Sequence, residues 1–295
     1  MLEKKPHFSE YIIGTMRLGQ WGVKMDAKAY DHFVRGCIDL GFRDFDHADI
    51  YGDYTTESEF GEILRKDPAL RKQMQITTKC GIRMMSDKKP FHNIKSYDSS
   101  KAHIIESVEC SLKNLNTDYI DILLIHRPDL LLEPKEVAEA IFELKKNGKV
   151  LFFGVSNFSI SQFKMLNAEV DLCTNQVEAS VLKLDAFHDG TLDQLLSIGM
   201  QPTIWSPLAG GAFFLTEKDE RVLRILKEGK VLCQKYNCDM DTLLLAWTKR
   251  HPSSPVPVLG TSKIERIEKY ANKKVNLERE DWYKLYTASL GHKVA

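Results

Sequence analysis

No apolar run in this chain reaches the roughly eighteen residues that a membrane-spanning helix needs. The start, Met1-Leu-Glu-Lys-Lys-Pro6, lacks the apolar stretch of a secretion signal. Charge of either sign is not in excess: 41 basic residues offset 41 acidic ones, so no global field draws the chain to nucleic acid or an anionic membrane. Six cysteines are scattered without a Cys-x-x-Cys pair, which argues against a zinc ribbon or disulfide framework and for a reduced, cytoplasmic protein. No Gly-x-Gly-x-x-Gly is present, so the usual dinucleotide crevice is missing. Walker and His-Glu-x-x-His motifs are absent too, and no metal site is expected. Nor is there a low-complexity tract or a Pro/Gly/Ser linker, so residues 1–295 read as a single domain, long enough to bury a sizeable core.

What the chain has instead is a repeated unit, an amphipathic helix stopped by glycine and followed by a short β-rich run. Residues 29–40, Gly41 and the strand 42–46 are one case. Residues 136–147 are another. Val137, Ala140, Ile141 and Leu144 share one helical face there, Gly148 suits the left-handed position past its end, and residues 150–155 follow as a buried strand. The third is 192–198, Gly199 and 202–205. Further strands are expected at 11–13, 75–78, 119–125, 172–177 and 256–259, with helical patterns at 58–65, 102–115, 159–166 and 217–236. Eight strands alternating with helices predict a closed parallel (β/α)8 TIM barrel, with an open doubly wound sheet as the other solution. Residues 84–100 lack a period and read as a loop over one barrel end. Residues 281–290 read as a surface helix outside the barrel.

In a parallel barrel the reacting groups sit where strands meet their following loops. Asp46, Lys79 and His126 occupy such ends, and Tyr51 lies in the loop after Asp46. Singly, each has an ordinary structural reading. Together they form a proton-donating site. A phenol has a reference pKa near 10, a neighbouring ammonium favours its ionised form, and a carboxylate holds the ammonium in place. An imidazole beside them can orient a carbonyl oxygen. Such a site protonates an oxygen that is gaining negative charge, and a hydride donor is the natural source of that charge.

At these residues the chain resembles the aldo-keto reductases, along essentially its full length. Gly14-Thr-Met-Arg-Leu-Gly19 resembles the family's opening motif, and Asp46-His-Ala-Asp-Ile-Tyr-Gly52 its Asp-to-Tyr signature. Ile76-Thr-Thr-Lys79 and Leu124-Ile-His-Arg-Pro-Asp129 resemble the strands carrying lysine and histidine. Gly154-Val-Ser-Asn-Phe158, Asn175-Gln-Val-Glu178, Trp205-Ser-Pro-Leu-Ala209 and Gly260-Thr-Ser262 follow in the family's order. Glu57-Ser-Glu-Phe-Gly-Glu-Ile-Leu64 is similar to the bacterial oxidoreductase branch.

The resemblance implies an NADP(H)-dependent reductase of small aldehydes or ketones. Tyr51 would be the general acid, Lys79 would lower its pKa, Asp46 would anchor Lys79 and approach the coenzyme, and His126 would orient the substrate carbonyl. Ser156, Asn157 and Gln176 would bond the nicotinamide carboxamide, and Trp205 would stack on its ring. Ser206 and Leu208 would line the pyrophosphate, with Pro207 and Ala209 among the coenzyme contacts. Thr15 and Met16 would meet the ribose side. Gly260, Ser262, Lys263 and Arg266 lie at a helix start, where backbone N–H groups and a bidentate arginine suit the 2′-phosphate. In ungapped register, Lys269-Tyr270 stands where the family often carries a Glu-Asn pair against adenine. Trp21 and Ile50 are candidate substrate-pocket residues. A cofactor-binding regulatory protein of the potassium-channel β-subunit kind is the competing expectation, although His126 departs from the asparagine usual there. Oligomeric state is not legible.

Overall fold

The computed structural model describes residues 5–295. The opening residues 1–4, part of the segment read for a leader, lie outside the described residues. Among the described residues ten strands form: β1 (Ile12–Gly14), β2 (Asp44–Asp46), β3 (Gln75–Cys80), β4 (Ile82–Arg83), β5 (Ser96–Tyr97), β6 (Ile120–Ile125), β7 (Val150–Ser156), β8 (Asn175–Glu178), β9 (Thr203–Trp205) and β10 (Val256–Leu259). Eight close into a barrel in the order β1-β10-β9-β8-β7-β6-β3-β2, and the strand pairs β1–β2, β2–β3, β3–β6, β6–β7, β7–β8 and β9–β10 are parallel. The TIM-barrel expectation is therefore met, with helices between the strands. Among the described residues no helix is long and apolar enough to cross a membrane.

By its contacts the chain divides into two compact units. The first holds residues up to Gln176 together with Gly260–Ile264; the second holds Val177–Leu259 and Glu265–Ala295.

In the first unit β6 is apolar on both faces, as a parallel sheet covered by helices favours, whereas β2 and β3 carry buried polar residues such as Asp44, Asp46, Thr78 and Lys79. Ile120, Ile122, Leu123, Leu124 and Ile125 of β6 are each at most 1% exposed. Polar caps set where the helices begin. Asp26 accepts from the Lys28 and Ala29 amides to start Ala27–Asp39, and Ser100 accepts from His103 N to start Lys101–Leu115. Ser159 and Gln162 form a reciprocal capping box on Ile160–Asn167. The helices Thr56–Lys66 and Lys101–Leu115 approach closely at Gly61, where a Cβ would lie 1.9 Å from the Asn114 carbonyl oxygen.

The second unit has its own core around Ile225, Leu243, Trp247 and Leu285. Trp247 and Trp282 stack at 4.8 Å, and each indole N–H donates to the other's backbone oxygen, at 3.1 and 3.0 Å. The expected outer helix is Arg279–Leu290, whose inward residues Asp281, Leu285, Ala288 and Ser289 are buried.

Two sequence expectations change. Residues 84–100 are not structureless: β5 within them pairs antiparallel with β4 just before, and Ser86 bridges Lys89. The helix Met240–Lys249 was not foreseen between 217–236 and the last strand. Its Leu243, Leu244, Leu245 and Trp247 are all buried, so it lacks the polar face that would reveal a helical period.

Candidate active site

Strand register assembles the first unit's polar cluster. Asp46 ends β2 opposite Thr77, Lys79 lies two residues further along β3, and His126 follows β6 directly. Tyr51 starts a single turn, Tyr51–Tyr54, in which Gly52 (φ 60°), Asp53 (φ 57°) and Tyr54 (φ 64°) are left-handed. A Cβ on Gly52 would sit 2.5 Å from Thr56 Oγ1, so this bend needs glycine for space as well as for φ.

Lys79 is 1% exposed, and its ammonium has three protons to place. It donates to Asp46 Oδ2 at 2.7 Å, to the His47 carbonyl at 2.8 Å and to Tyr51 Oη at 3.1 Å. Burial alone would lower the Lys79 pKa, but Asp46 and Tyr51 outweigh it and hold the group charged. The other Asp46 oxygen accepts from Gln176 Nε2 at 2.9 Å. Burial raises the Tyr51 pKa, and the pull of Lys79 toward phenolate offsets this only in part. Tyr51 therefore keeps its proton at neutral pH and can give it away. The ring of His126 meets that of Tyr51 edge-on, with centroids 5.9 Å apart. Burial, then Lys79, Arg127 and Lys95, lower the His126 pKa well below its usual value, so this imidazole is neutral. A neutral imidazole can polarise an oxygen by hydrogen bonding.

Around these four, Ser156 and Gln176 pair across β7–β8. Ser156 Oγ donates to the Gln176 carbonyl at 2.8 Å and accepts from Asn157 Nδ2 at 2.8 Å. Thr15 is fully buried; its hydroxyl donates to the Asp46 carbonyl at 3.0 Å and lies 3.0 Å from His47 Nδ1. Met16 is 38% exposed. Trp21, 40% exposed, tilts against Tyr51 at 6.3 Å, whereas Ile50 is buried with Ala48 and Ile82. The structure thus gathers Thr15, Asp46, Tyr51, Lys79, His126, Ser156, Asn157 and Gln176. Gly260, Ser262 and Lys263 precede the helix Ile264–Asn272.

Trp205 to Ala209 and Arg266 belong to the second unit. Trp205 ends β9, and Ser206 (φ 52°) and Ala209 (φ 51°) are left-handed, as Asn157 (φ 61°) is in the first unit. Such strain in non-glycine residues concentrates at ligand sites. Lys269 and Tyr270 are turned to their own unit. Lys269 Nζ reaches Asp241 at 2.7 Å and Asp239 at 3.1 Å, and Tyr270 Oη donates to Asp241 at 2.8 Å.

Sequence reading gave no role to His47 or Glu57, although both lie inside quoted motifs. His47 supplies a backbone oxygen to Lys79 and packs edge-on against Phe60 at 4.5 Å. Glu57, 2% exposed, accepts from Thr78 Oγ1 at 2.6 Å beside Lys79. Glu57 also lines a groove of about 780 Å³ with Asp49, Tyr54, Lys89, Phe91 and His103; none of Tyr51, Lys79 and His126 borders it.

The fold is a closed parallel barrel, and its first unit carries a buried tyrosine–lysine–aspartate–histidine cluster at the strand ends. The chain belongs to the aldo/keto reductase family, whose model matches residues 10–288. It is 43% identical over 294 residues to the uncharacterized oxidoreductase YcsN of Bacillus subtilis, covering 97% of this chain and 96% of that one. It is 37% identical over 297 residues to a 6-dehydroglucose reductase of Agrobacterium fabrum, covering 100% and 98%. The fold matches that of the thermostable aldo-keto reductase Tm1743, crystallised with the inhibitor epalrestat, at a TM-score of 0.80 and 21% identity, covering 98% and 100% of the two chains.

Proposed function

We propose that this protein reduces the carbonyl group of a small aldehyde or ketone with NADPH, Tyr51 serving as the general acid. The observation that carries this reading is the Lys79 ammonium, whose three protons go to Asp46, the His47 carbonyl and Tyr51. This arrangement aims the Tyr51 hydroxyl from a fixed, charged support and stabilises the phenolate left after it donates. Neutral His126 holds the carbonyl oxygen that receives the proton. NADPH, when bound, supplies the hydride that reaches the carbonyl carbon.

The residues present suit that coenzyme. Gln176 commits an amide N–H to Asp46, and Ser156, Asn157 and Gln176 cluster hydroxyl and amide groups at the ends of β7 and β8, chemistry of the kind that recognises a carboxamide. A Cβ at Gly260 would meet nothing within 4 Å, so this turn is open to a ligand. Exposed Lys263 and Arg266 flank the first turn of Ile264–Asn272, which suits a phosphate and favours NADPH over NADH.

The test follows NADPH absorbance against aromatic aldehydes, quinones, small ketones and 6-dehydroglucose, with NADH in parallel. Tyr51→Phe is expected to bind NADPH with little change and lose about 10²–10⁴-fold in turnover. Retention of most activity by that variant would overturn the assignment.

A further inference from the structure

All six cysteines are free thiols, but two of them face one another. The helix Glu220–Tyr236 ends with Asn237 in the left-handed conformation at φ 48°. The Cys238 amide donates to the Cys233 carbonyl at 3.0 Å, and the Asn237 amide donates to the Gln234 carbonyl at 3.3 Å. These two bonds define a Schellman motif, in which the side chains three positions inside the helix and two beyond it come together. That contact is ordinarily apolar; here it is Cys233 against Cys238, and a hydrogen bond joins the thiols. Both residues are partly exposed, whereas Cys37 and Cys80 are buried at 0% and 1%.

We infer that Cys233 and Cys238 form a reversible dithiol site, which a low-molecular-weight disulfide oxidises to an intramolecular disulfide across the helix cap. The two backbone bonds of the motif bring residues 233 and 238 side by side, and their thiols are hydrogen-bonded neighbours, the proximity from which a disulfide can close. In the first step Cys238, as thiolate, attacks one sulfur of the reagent disulfide, forms a mixed disulfide and releases one small thiol. Cys233 then gives up its proton and attacks the Cys238 sulfur; the protein disulfide forms and the second small thiol leaves. The two protein thiols lose two protons and two electrons, and the reagent gains them. Cys238 is the better attacker. Burial raises both pKa values, to about 12 at Cys233, but at Cys238 the bond from Cys233 and the charge of Lys273 work against the rise. Closure is consequently slow at neutral pH, on the scale of uncatalysed exchange. Partial exposure puts this disulfide among those that small thiols reduce again.

The position gives closure a consequence. Cys238 immediately precedes Asp239, the N-cap residue of Met240–Lys249, and Asp239 and Asp241 are the partners of Lys269. The clip therefore acts on the turn that anchors the helix Ile264–Asn272.

The test incubates the purified full chain with oxidised glutathione, alkylates remaining thiols and maps peptides by mass spectrometry without reduction. The expected result is a crosslinked 233–238 peptide lighter by two hydrogens, reversed by dithiothreitol, with Cys233→Ser instead accumulating a glutathione adduct at Cys238. Stable glutathione adducts at Cys238 in the unaltered chain, crosslinks to other cysteines, or modification of exposed Cys110 alone would each overturn the proposal.

Discussion

Replacing Lys79 with methionine separates what the buried ammonium does for stability from what it does for chemistry. Methionine has a similar length and no charge. Its introduction leaves the Asp46 carboxylate, 3% exposed, with the Gln176 amide as its remaining side-chain donor and deprives the His47 carbonyl and Tyr51 hydroxyl of a partner. Removing one member of a buried ion pair costs about 3–5 kcal/mol, because the other charge stays behind. For a chain of this size that is a fall in Tm of roughly 5–8 °C. Turnover should fall by about 10²–10⁴-fold, as the phenolate loses its cation. Adding Asp46→Asn removes the orphaned charge. The double variant should recover most of the lost Tm and none of the lost turnover, a non-additivity expected of groups in direct contact. Calorimetry and single-turnover NADPH consumption on the four proteins of the cycle read both quantities. A Lys79→Met protein melting within about 1 °C of the original would refute the buried-pair argument. A double variant that regained turnover would refute the catalytic one.

Further predictions follow from individual contacts. Burial, then the charge of Lys79, lower His47 to about 3 from 6.5, so the native state takes up fewer protons than the unfolded chain below pH 6.5. Its contribution is complete above that pH and lost as pH falls, by about 2 kcal/mol at pH 5; His47→Asn should flatten the acid limb of a urea-stability profile by that amount, and an unchanged slope would show that His47 titrates normally. Gly61→Ala should lower stability by about 3 kcal/mol, since the new methyl meets the backbone oxygen of Asn114 rather than a movable side chain. A urea midpoint equal to that of the unaltered chain would count against the close helix approach. Arg266→Leu should weaken NADPH binding by about ten- to a hundredfold and leave NADH binding alone, measured by titration calorimetry; equal losses for both coenzymes would remove the 2′-phosphate role.

Legibility varied with the kind of signal. The helix Pro134–Lys146 was readable because its apolar positions recur with the helical period, and the same residues are buried in the structure. Met240–Lys249 was not, because burial on all sides erases that period. Strand β8 begins at Asn175 although the β-rich run starts three residues earlier, a boundary set by where its neighbour can pair. Lys269 and Tyr270 show the same limit at a side chain. Sequence position put them beside a coenzyme, and the acids that hold them lie about thirty residues away.

The sequence by itself determined a parallel sheet of alternating strands and helices, since those periods are local and parallel strands need crossovers; closure into a barrel rather than an open sheet was settled by the pairing of its strands. It also determined which residues stand at strand ends, because that follows from counting along each strand. Tertiary structure alone decided which atoms meet. The pairing of Lys79 with Asp46, the His47 carbonyl and Tyr51, the tie from Gln176 to Asp46 across 130 residues, and the neutral state of His126 all depend on register and burial. The physical reason is range: periodicity and capping act over a few residues, whereas electrostatics in a dry interior depend on distances that only the closed barrel sets.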